Sequence, residues 1–247
     1  MTTVAVLQSN YLPWRGYFDL IHDVDLFVFY DEVQYTKNDW RNRNRVYSQQ
    51  GLSWLTLPCG YNLKQTVLET RIKNELPWPR DHWNKINNAY GKSDFFHLYR
   101  DFFEHVYFER QWDYLFQLNR FLIKTIASDF LHISTEFADS RDYASSGSRA
   151  DKLLSLLMSI GCDVYISGPA AQSYLPVERF YDAGIKVIWK DYSGYPTYKQ
   201  QKEPFEGAVS VIDLLFNTGP EAPALIWGGG SDNSQKADGL PAPLRGA

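Results

Sequence analysis

The chain has 247 residues, of which 44% are hydrophobic and 22% are charged, and its formal net charge is −4. This length and composition predict one folded domain with a sizeable core and exclude a chain that is disordered throughout. The negative balance disfavours nucleic acid as a partner, because nucleic-acid binders carry a basic surface. The sequence shows neither a signal peptide nor an apolar stretch long enough for a membrane span, so we expect a cytoplasmic protein.

The first thirty residues predict two neighbouring parallel strands. Residues 4–7 form a β-branched apolar run typical of a buried strand, and residues 8–16 contain the proline and glycine of a loop. Residues 17–22 then have helical spacing, and residues 25–30 form a second apolar strand. This order is a βαβ unit, in which the two strands run parallel.

The next segments predict further strands and then a mainly helical region. Residues 31–45 are polar and irregular, residues 54–57 read as a strand, and residues 67–72 read as its neighbour. Asp81 is placed to cap a helix that stops near Gly91. Helical spacing continues over about 98–130, with a break near Glu109, and over 148–160.

The last part of the chain returns to alternating strands and helices. Strands are predicted at residues 164–167 and 186–189, and helices at 177–183 and 210–216. Residues 228–247 are Gly-rich and aperiodic and predict a flexible tail. The predicted fold is therefore α/β: a single domain over residues 1–227, with a Rossmann-like, mostly parallel sheet and a helical segment inserted over about 80–160.

Polar side chains follow each of the first two predicted strands. Gln8 and Tyr11 follow the first strand, and Asp31 and Gln34 follow the second. Ligands of open α/β sheets bind at the carboxyl ends of the strands, so we expect these four side chains to line one substrate pocket. The alternative is that the first loop only shapes a turn and that Asp31 caps a backbone segment.

A basic cluster lies in the polar segment that follows. Arg41, Asn42, Arg43 and Arg45 stand close together in the sequence KNDWRNRNR. Guanidinium groups bind phosphate and carboxylate through paired hydrogen bonds, so the cluster predicts a clamp for a small anionic substrate. The alternative is a solvated face, or ion pairs that brace the loop against acidic neighbours.

The candidates for proton transfer are His82 and Asp31. His82 stands at the start of a predicted helix, and histidine transfers protons near neutral pH. The alternative for a lone histidine in this position is a structural hydrogen bond. No two histidines have a metal-ligand spacing, and Cys59 and Cys162 form neither a disulfide framework nor a metal motif. We therefore predict no metal site, and no cofactor motif is visible.

Two later strand ends complete the predicted pocket. Ser167 and Gly168 open a small-residue turn in which a ligand can approach backbone N–H groups. Asp191 and Tyr192 follow the next strand and are expected to form a pocket wall. The alternatives are an ordinary strand-to-helix turn and a surface loop with aromatic anchors.

Six of these segments together resemble the WbqC-like protein family, over about residues 4–226. They are LQSNYLPWRGYFDLI, FVFYDEVQYTKNDWRNRNR, HWNKINNAYGKSDFF, YISGPAAQSYL, WKDYSGYP and VSVIDLLFNTGPEA. The resemblance implies a role in bacterial surface-polysaccharide synthesis, including the O-antigen of lipopolysaccharide. It implies a transferase that modifies a nucleotide-linked amino sugar by N-acyl or aminoacyl transfer, and it transfers no catalytic residues to this chain.

The expected partners follow from that hypothesis. The substrate is a small anion such as a nucleotide sugar, and the donor is a thioester on a coenzyme or an acyl carrier protein, because no ATP-binding motif is visible. A second resemblance, of the layout from the first strand through Arg15 and Gly16 to Tyr17, is to HIGH-type nucleotidyltransferases, although their histidines are absent. The alternatives are therefore a nucleotide-dependent ligase or nucleotidyltransferase, and a non-catalytic protein that binds a sugar nucleotide.

Overall fold

The computed structural model describes residues 1–227, and the predicted tail, residues 228–247, lies outside the described residues. Within that range the chain forms a five-stranded sheet and a separate two-stranded hairpin. The strands are β1 (Thr3–Leu7), β2 (Leu26–Phe29), β3 (Arg43–Ser48), β4 (Gly51–Thr56), β5 (Glu136–Asp139), β6 (Val164–Ser167) and β7 (Lys186–Trp189). The α-helices of the same range are α1 (Arg15–His22), α2 (Trp78–Tyr90), α3 (Phe96–Glu104), α4 (Leu115–Thr125), α5 (Ala150–Ile160), α6 (Val177–Asp182) and α7 (Val211–Thr218).

The five-stranded sheet is parallel throughout and has the order β5-β2-β1-β6-β7. The chain builds outward from β1 through β2 to β5, and then returns to add β6 and β7 on the other side of β1. This reversal is a topological switch point between β1 and β6, where ligands of open α/β sheets bind. The prediction of an α/β, Rossmann-like fold is confirmed.

Helices cover both faces of the sheet. Ala5, Phe27 and Phe29 point into one apolar core, which also contains residues of α1, α4 and α7. Val6 and Val28 point into a second core with residues of α5 and α6. Successive strand residues face opposite sides, so the two cores are filled by alternate positions of the same apolar strands. Among the helices of the described part, none is long and apolar enough to cross a membrane.

The pairing predicted for the strand at residues 54–57 is wrong. Its partner is β3, and β3 and β4 form an antiparallel hairpin with Ser48 opposite Gly51. Residues 43–45, predicted as irregular, therefore begin a strand. Residues 67–72 form no strand and make only isolated bridges, such as the one between Cys59 and Ile72. The local hairpin closes a much shorter loop, which costs less chain entropy than the distant pairing.

Two features of the helical region also differ from the prediction. Helix α2 begins at Trp78, one turn earlier than predicted, and Asp81 lies inside its first turn without capping it. The segment from 80 to 160 is not wholly helical, because β5 interrupts it and becomes the edge strand beside β2. The break near Glu109 is present: a π-helical turn, His105–Glu109, ends the first stretch before α4 begins.

Candidate functional site

A buried ion pair lies at the carboxyl edge of the sheet, which is the side where the parallel strands end. β1 and β2 are in register with Leu7 opposite Phe29, so Ser9 and Asp31, each two residues further on, lie side by side. The Ser9 N–H donates to Oδ1 of Asp31 at 2.7 Å, and Nε of Arg120 in α4 donates to Oδ2 at 2.7 Å. Burial raises the pKa of Asp31, and these two donors offset the shift only in part.

The same arginine reaches a second carboxylate at the end of β5. Asp139 is in register with Phe29 and accepts hydrogen bonds from Arg120 and, at 2.8 Å, from Nη2 of Arg141. Burial alone would raise the pKa of Asp139, but the hydrogen bonds from the two arginines hold that pKa below its usual value. Arg120 therefore links the carboxyl ends of β2 and β5.

Arg41 lies on the β1 side of this edge. Its guanidinium donates to the side chains of both Gln8 and Asp39. The backbone carbonyl of Gln8 accepts a hydrogen bond from the Tyr17 hydroxyl at 2.9 Å. Burial raises the pKa of Tyr17 well above its usual value, so this hydroxyl stays protonated and acts as a donor. Gln8, Asp31 and Arg41, three of the predicted residues, therefore belong to one edge.

A further pair of charges borders this edge. Glu32, the residue after Asp31, pairs through Oε2 with Nζ of Lys152 in α5 at 3.0 Å. The other carboxylate oxygen of Glu32 has no hydrogen-bond partner among residues 1–227. Four cations are thus paired with four carboxylates near the edge: Arg41, Arg120, Arg141 and Lys152 with Asp31, Glu32, Asp39 and Asp139.

Unpaired buried polar atoms are concentrated at the same edge. Each has no hydrogen-bond partner within the described range: Ser9 Oγ, Asn10 Oδ1, Glu32 Oε1, Arg41 Nε, Asn119 Oδ1, Arg120 Nη2 and Ser140 Oγ. A buried polar group left without a partner costs about 1–3 kcal/mol. Functional sites are where such a cost is commonly retained, because a ligand can complete the hydrogen bonds. The set includes both donors and acceptors.

The switch point between β1 and β6 is bordered by aromatic rings. Ser167 is the buried last residue of β6, and Gly168 follows it. The Tyr192 hydroxyl lies 3.6 Å from the position that a Cβ on Gly168 would occupy, and the Tyr192 ring packs against Trp14 with centroids 5.2 Å apart. Tyr192 thus forms a wall beside Gly168. Its neighbour Asp191 is exposed and accepts the N–H of Ser193 at 2.8 Å.

His82 lies inside the fold. Its Nδ1 is hydrogen-bonded to the Tyr11 hydroxyl at 2.8 Å, and that hydroxyl is 2.6 Å from the hydroxyl of Tyr107. The ring of Trp78 packs edge-on against the imidazole. Burial lowers the pKa of His82 to about 3. This environment favours the structural alternative for His82, and it places Tyr11 in the same buried network.

The other predicted binding residues lie apart from the edge. Gln34 donates to the Leu63 carbonyl at 2.7 Å, and Asn42 donates to the Leu57 carbonyl at 2.9 Å. Arg43 lies on the β3–β4 hairpin, with its guanidinium 4.1 Å from the Trp54 ring centroid. The side chains of Arg41 and Arg43 therefore make contacts in different places, although the two residues are only two positions apart.

Two hollows of about 600 Å³ and 630 Å³ lie elsewhere on the surface, the first between α2 and α3 beside Trp83 and the second at the amino ends of the strands beside Asp25. Asp19, His22 and Asp23 form the one group with metal-ligand spacing in the described part of the chain. Nζ of Lys190 already pairs with Asp19 at 2.8 Å and with Asp23 at 2.5 Å. That ammonium lies between the two carboxylates and offsets one of their two negative charges.

Four charged residues of the edge were missed by sequence reasoning: Arg120, Asp139, Arg141 and Lys152. Arg120 lies within an apolar helical pattern, where a single charge reads as a solvated position. The positions of Asp139 and Arg141 could have been predicted, because both follow the short apolar pair Phe137–Ala138, as Asp31 follows β2. Recognising β5 would have brought them to the same edge.

One family model matches most of the chain. The model of the WbqC-like protein family matches residues 8–224. The chain is also 44% identical over 225 residues to the uncharacterized protein Rv1507c of Mycobacterium tuberculosis, and the match covers 90% of this chain and 96% of that protein. No solved structure matches the chain. The extent of the family match shows that the chain belongs to the WbqC-like protein family.

Proposed function

We propose that the protein is a cytoplasmic transferase that binds a nucleotide-linked amino sugar at the carboxyl edge of the sheet and transfers an acyl or aminoacyl group to its nitrogen. The observation that carries the proposal is the cluster of unpaired buried donors and acceptors around Arg41, Arg120 and Glu32. It lies at the carboxyl ends of β1 and β2, beside the switch point. Open α/β sheets bind their ligands in this position.

The mixture of unpaired groups matches the chemistry of a phosphorylated sugar. Nε of Arg41 and Nη2 of Arg120 are donors without acceptors in the described part of the chain, which suits phosphate oxygens. Glu32 Oε1 and Asn10 Oδ1 are acceptors without donors in the same part, which suits hydroxyl or ammonium groups. A simple inorganic anion would satisfy only the first pair. A nucleotide-linked amino sugar supplies partners to both.

Glu32 is the proposed proton acceptor. A sugar ammonium is not nucleophilic until it loses a proton, and we assign that proton to Oε1 of Glu32, which is buried and has no partner among residues 1–227. The free amine then attacks the acyl carbon of a thioester, a C–N bond forms, and the C–S bond breaks. The thiolate leaves and accepts the proton that the nitrogen loses as the amide forms. Asp31, with both oxygens engaged by Ser9 and Arg120, is a positioning residue.

The donor is proposed to be a thioester on a coenzyme or an acyl carrier protein. The product is an N-acylated sugar nucleotide, which suits the polysaccharide role implied by the resemblance to WbqC-like proteins. A nucleotide-dependent ligase would require ATP and Mg²⁺, and a non-catalytic binding protein would require neither a donor nor Glu32. These requirements separate the three functions in one set of measurements.

The test is a thermal-shift screen of nucleotide amino sugars, acyl-coenzyme A thioesters, and ATP with and without Mg²⁺, followed by turnover assays with the ligands that bind. We expect nucleotide amino sugars to raise the melting temperature. Arg41→Gln should reduce that shift, whereas Glu32→Gln should retain most of it and lose turnover. Arg100→Gln is the matched control, because Arg100 is exposed on α3 and its side chain pairs with Glu104 of the same helix.

Two results would count against the proposal. A shift seen only with ATP and Mg²⁺ would favour the ligase. Sugar-nucleotide binding with no turnover for any thioester, and with unchanged binding in Glu32→Gln, would favour a non-catalytic protein.

A further inference from the structure

We propose that the outer face of the β3–β4 hairpin binds the nucleoside phosphate part of the substrate. This inference rests on the proposed function in one respect, because it assumes that the sugar part of the substrate binds at the carboxyl edge of the sheet. The residues that carry it are Trp40, Arg43, Arg45 and Trp54, called here the hairpin platform. None of them is used by the transfer step described above.

The strand register brings the hairpin platform together. Arg45 lies opposite Trp54 and Arg43 lies opposite Thr56, so the three side chains Arg43, Arg45 and Trp54 share one face of the hairpin. The opposite face carries Val46 and Leu55, which are buried. Trp40, from the turn before β3, adds its ring 6.0 Å from that of Trp54. The hairpin thus has a buried inner face and an outer face that carries these aromatic and basic side chains.

The two tryptophans of the platform remain open to solvent. Trp40 is 45% exposed and Trp54 is 38% exposed. An indole ring buries a large apolar area when it is covered, so its exposure carries a cost that a ligand can remove. Their rings are inclined at 36° to each other. A planar aromatic ligand can therefore stack on one indole and contact the edge of the other.

The platform also carries positive charge, and the nearby carboxylate of Asp39 is paired with Arg41. The guanidiniums of Arg43 and Arg45 lie 4.1 and 5.6 Å from the Trp54 ring centroid. The Arg43 side chain makes no hydrogen bond or ion pair with residues 1–227. Nη2 of Arg45 donates to the Ala208 carbonyl at 2.6 Å, and its buried Nε has no partner in that range. Lys85 of α2 adds an ammonium, bonded to the Trp54 carbonyl at 2.8 Å. These donors suit the oxygens of a phosphate.

Aromatic stacking beside a phosphate-binding arginine is the combination that recognises a nucleotide. A sugar phosphate would use the arginines but offers no aromatic ring to stack on the indoles. A nucleic-acid polymer would need a longer basic surface, and the net charge of the chain is −4. A single nucleoside phosphate uses both halves of the platform.

One turn joins the platform to the carboxyl edge. Asp39 accepts the Arg41 guanidinium through its side chain, and its carbonyl accepts the Arg43 N–H at 3.2 Å. Arg41 reaches Gln8 at the edge, whereas Arg43 reaches Trp54 on the hairpin. The two arginines are two residues apart, so their Cα atoms are separated by at most about 7 Å. A nucleotide phosphate on Arg43 would therefore lead toward Arg41 and the sugar end.

The test is calorimetric titration of the full chain with AMP, GMP, CMP, UMP, ribose 5-phosphate and inorganic phosphate. We expect at least one nucleoside monophosphate to bind more tightly than ribose 5-phosphate. Trp40→Leu and Arg43→Gln should each weaken that binding by roughly tenfold, because each removes a contact of the kind that stacking or a charged hydrogen bond provides. Arg100→Gln should leave it unchanged. Melting temperatures near that of the wild type would show that the variants are folded.

The inference is overturned if no nucleoside monophosphate binds more tightly than ribose 5-phosphate, or if Trp40→Leu and Arg43→Gln both bind it as the wild type does. Glu32→Gln separates this outcome from failure of the proposed function. Monophosphate binding that depends on Trp40 and Arg43, together with nucleotide-sugar turnover that survives Glu32→Gln, would support the platform and reject the proposed role of Glu32.

Discussion

Arg120 and Asp31 form an ion pair, 2.7 Å between Nε and Oδ2, that joins the middle of α4 to the carboxyl end of β2. The two residues are 89 positions apart, and the Asp31 side chain is fully buried. Asp31 also accepts the Ser9 N–H, so one carboxylate aligns two strand ends and a helix. The pair therefore fixes the geometry of the edge to which we assign the substrate.

Removing the arginine should destabilise the protein strongly. We expect Arg120→Met to lower the free energy of unfolding by about 3 kcal/mol or more, because it leaves the buried Asp31 charge without its cation. Arg141→Met is the control. Arg141 pairs with Asp139, which Arg120 also contacts, but Arg141 is 53% exposed, and its loss should cost less than about 1 kcal/mol. Urea unfolding measures both values. Equal effects of the two substitutions would show that Arg120 is no more than a surface charge.

A side chain at position 219 should destabilise the protein. Gly219 has a φ of +55°, and a Cβ there would lie 2.4 Å from Cδ1 of Phe95. Gly161 also has a positive φ, of +77°, but a Cβ there would meet no atom within 4 Å. Gly161→Ala should therefore cost about 1–2 kcal/mol from the backbone alone. Gly219→Ala should cost clearly more in the same unfolding measurement, because the ψ of −128° at Gly219 lies outside the left-handed helical region and because Phe95 must also move.

Similar losses in the two glycine variants would contradict this expectation, since they would show that neither the backbone conformation of Gly219 nor the movement of Phe95 adds to the cost.

Asp213 should hold the segment between β7 and α7 in place. Its carboxylate accepts the Tyr90 hydroxyl at 2.9 Å, the Tyr198 hydroxyl at 2.8 Å and Nε2 of Gln200 at 2.8 Å. Tyr198→Phe removes one of these bonds and should cost about 1 kcal/mol. It should also increase hydrogen exchange over residues 195–203, because that segment has neither helix nor strand to protect it.

The control for this change is Tyr181→Phe, since the Tyr181 side chain is 78% exposed. Exchange that rises equally in both variants, or in neither, would show that the bond to Asp213 does not restrain the segment.

The sequence allowed the parallel sheet to be predicted, but not all of the edge. β1, β2, β6 and β7 are short apolar runs separated by clear turns, so their periodicity was visible. β5 reads EFAD, with a carboxylate at each end, and its strand character comes from pairing with β2. Arg120 was hidden for the same reason, because its role depends on a strand end 89 residues away. Such contacts are tertiary and leave no local pattern.

The position of His82 predicts a stability effect that depends on pH. Burial lowers its pKa to about 3, whereas an unfolded histidine titrates near ~6.5. Between these values the unfolded chain binds more protons, so the free energy of unfolding should fall as the pH drops through this window, by at most about 1.4 kcal/mol per pH unit for one proton. His82→Phe should remove this part of the slope, while the exposed His97→Phe should retain it. Urea unfolding at several values between about pH 7 and 4 gives the slope of the unfolding free energy against pH. A slope in His82→Phe equal to that of the wild type would return His82 to the candidates for proton transfer.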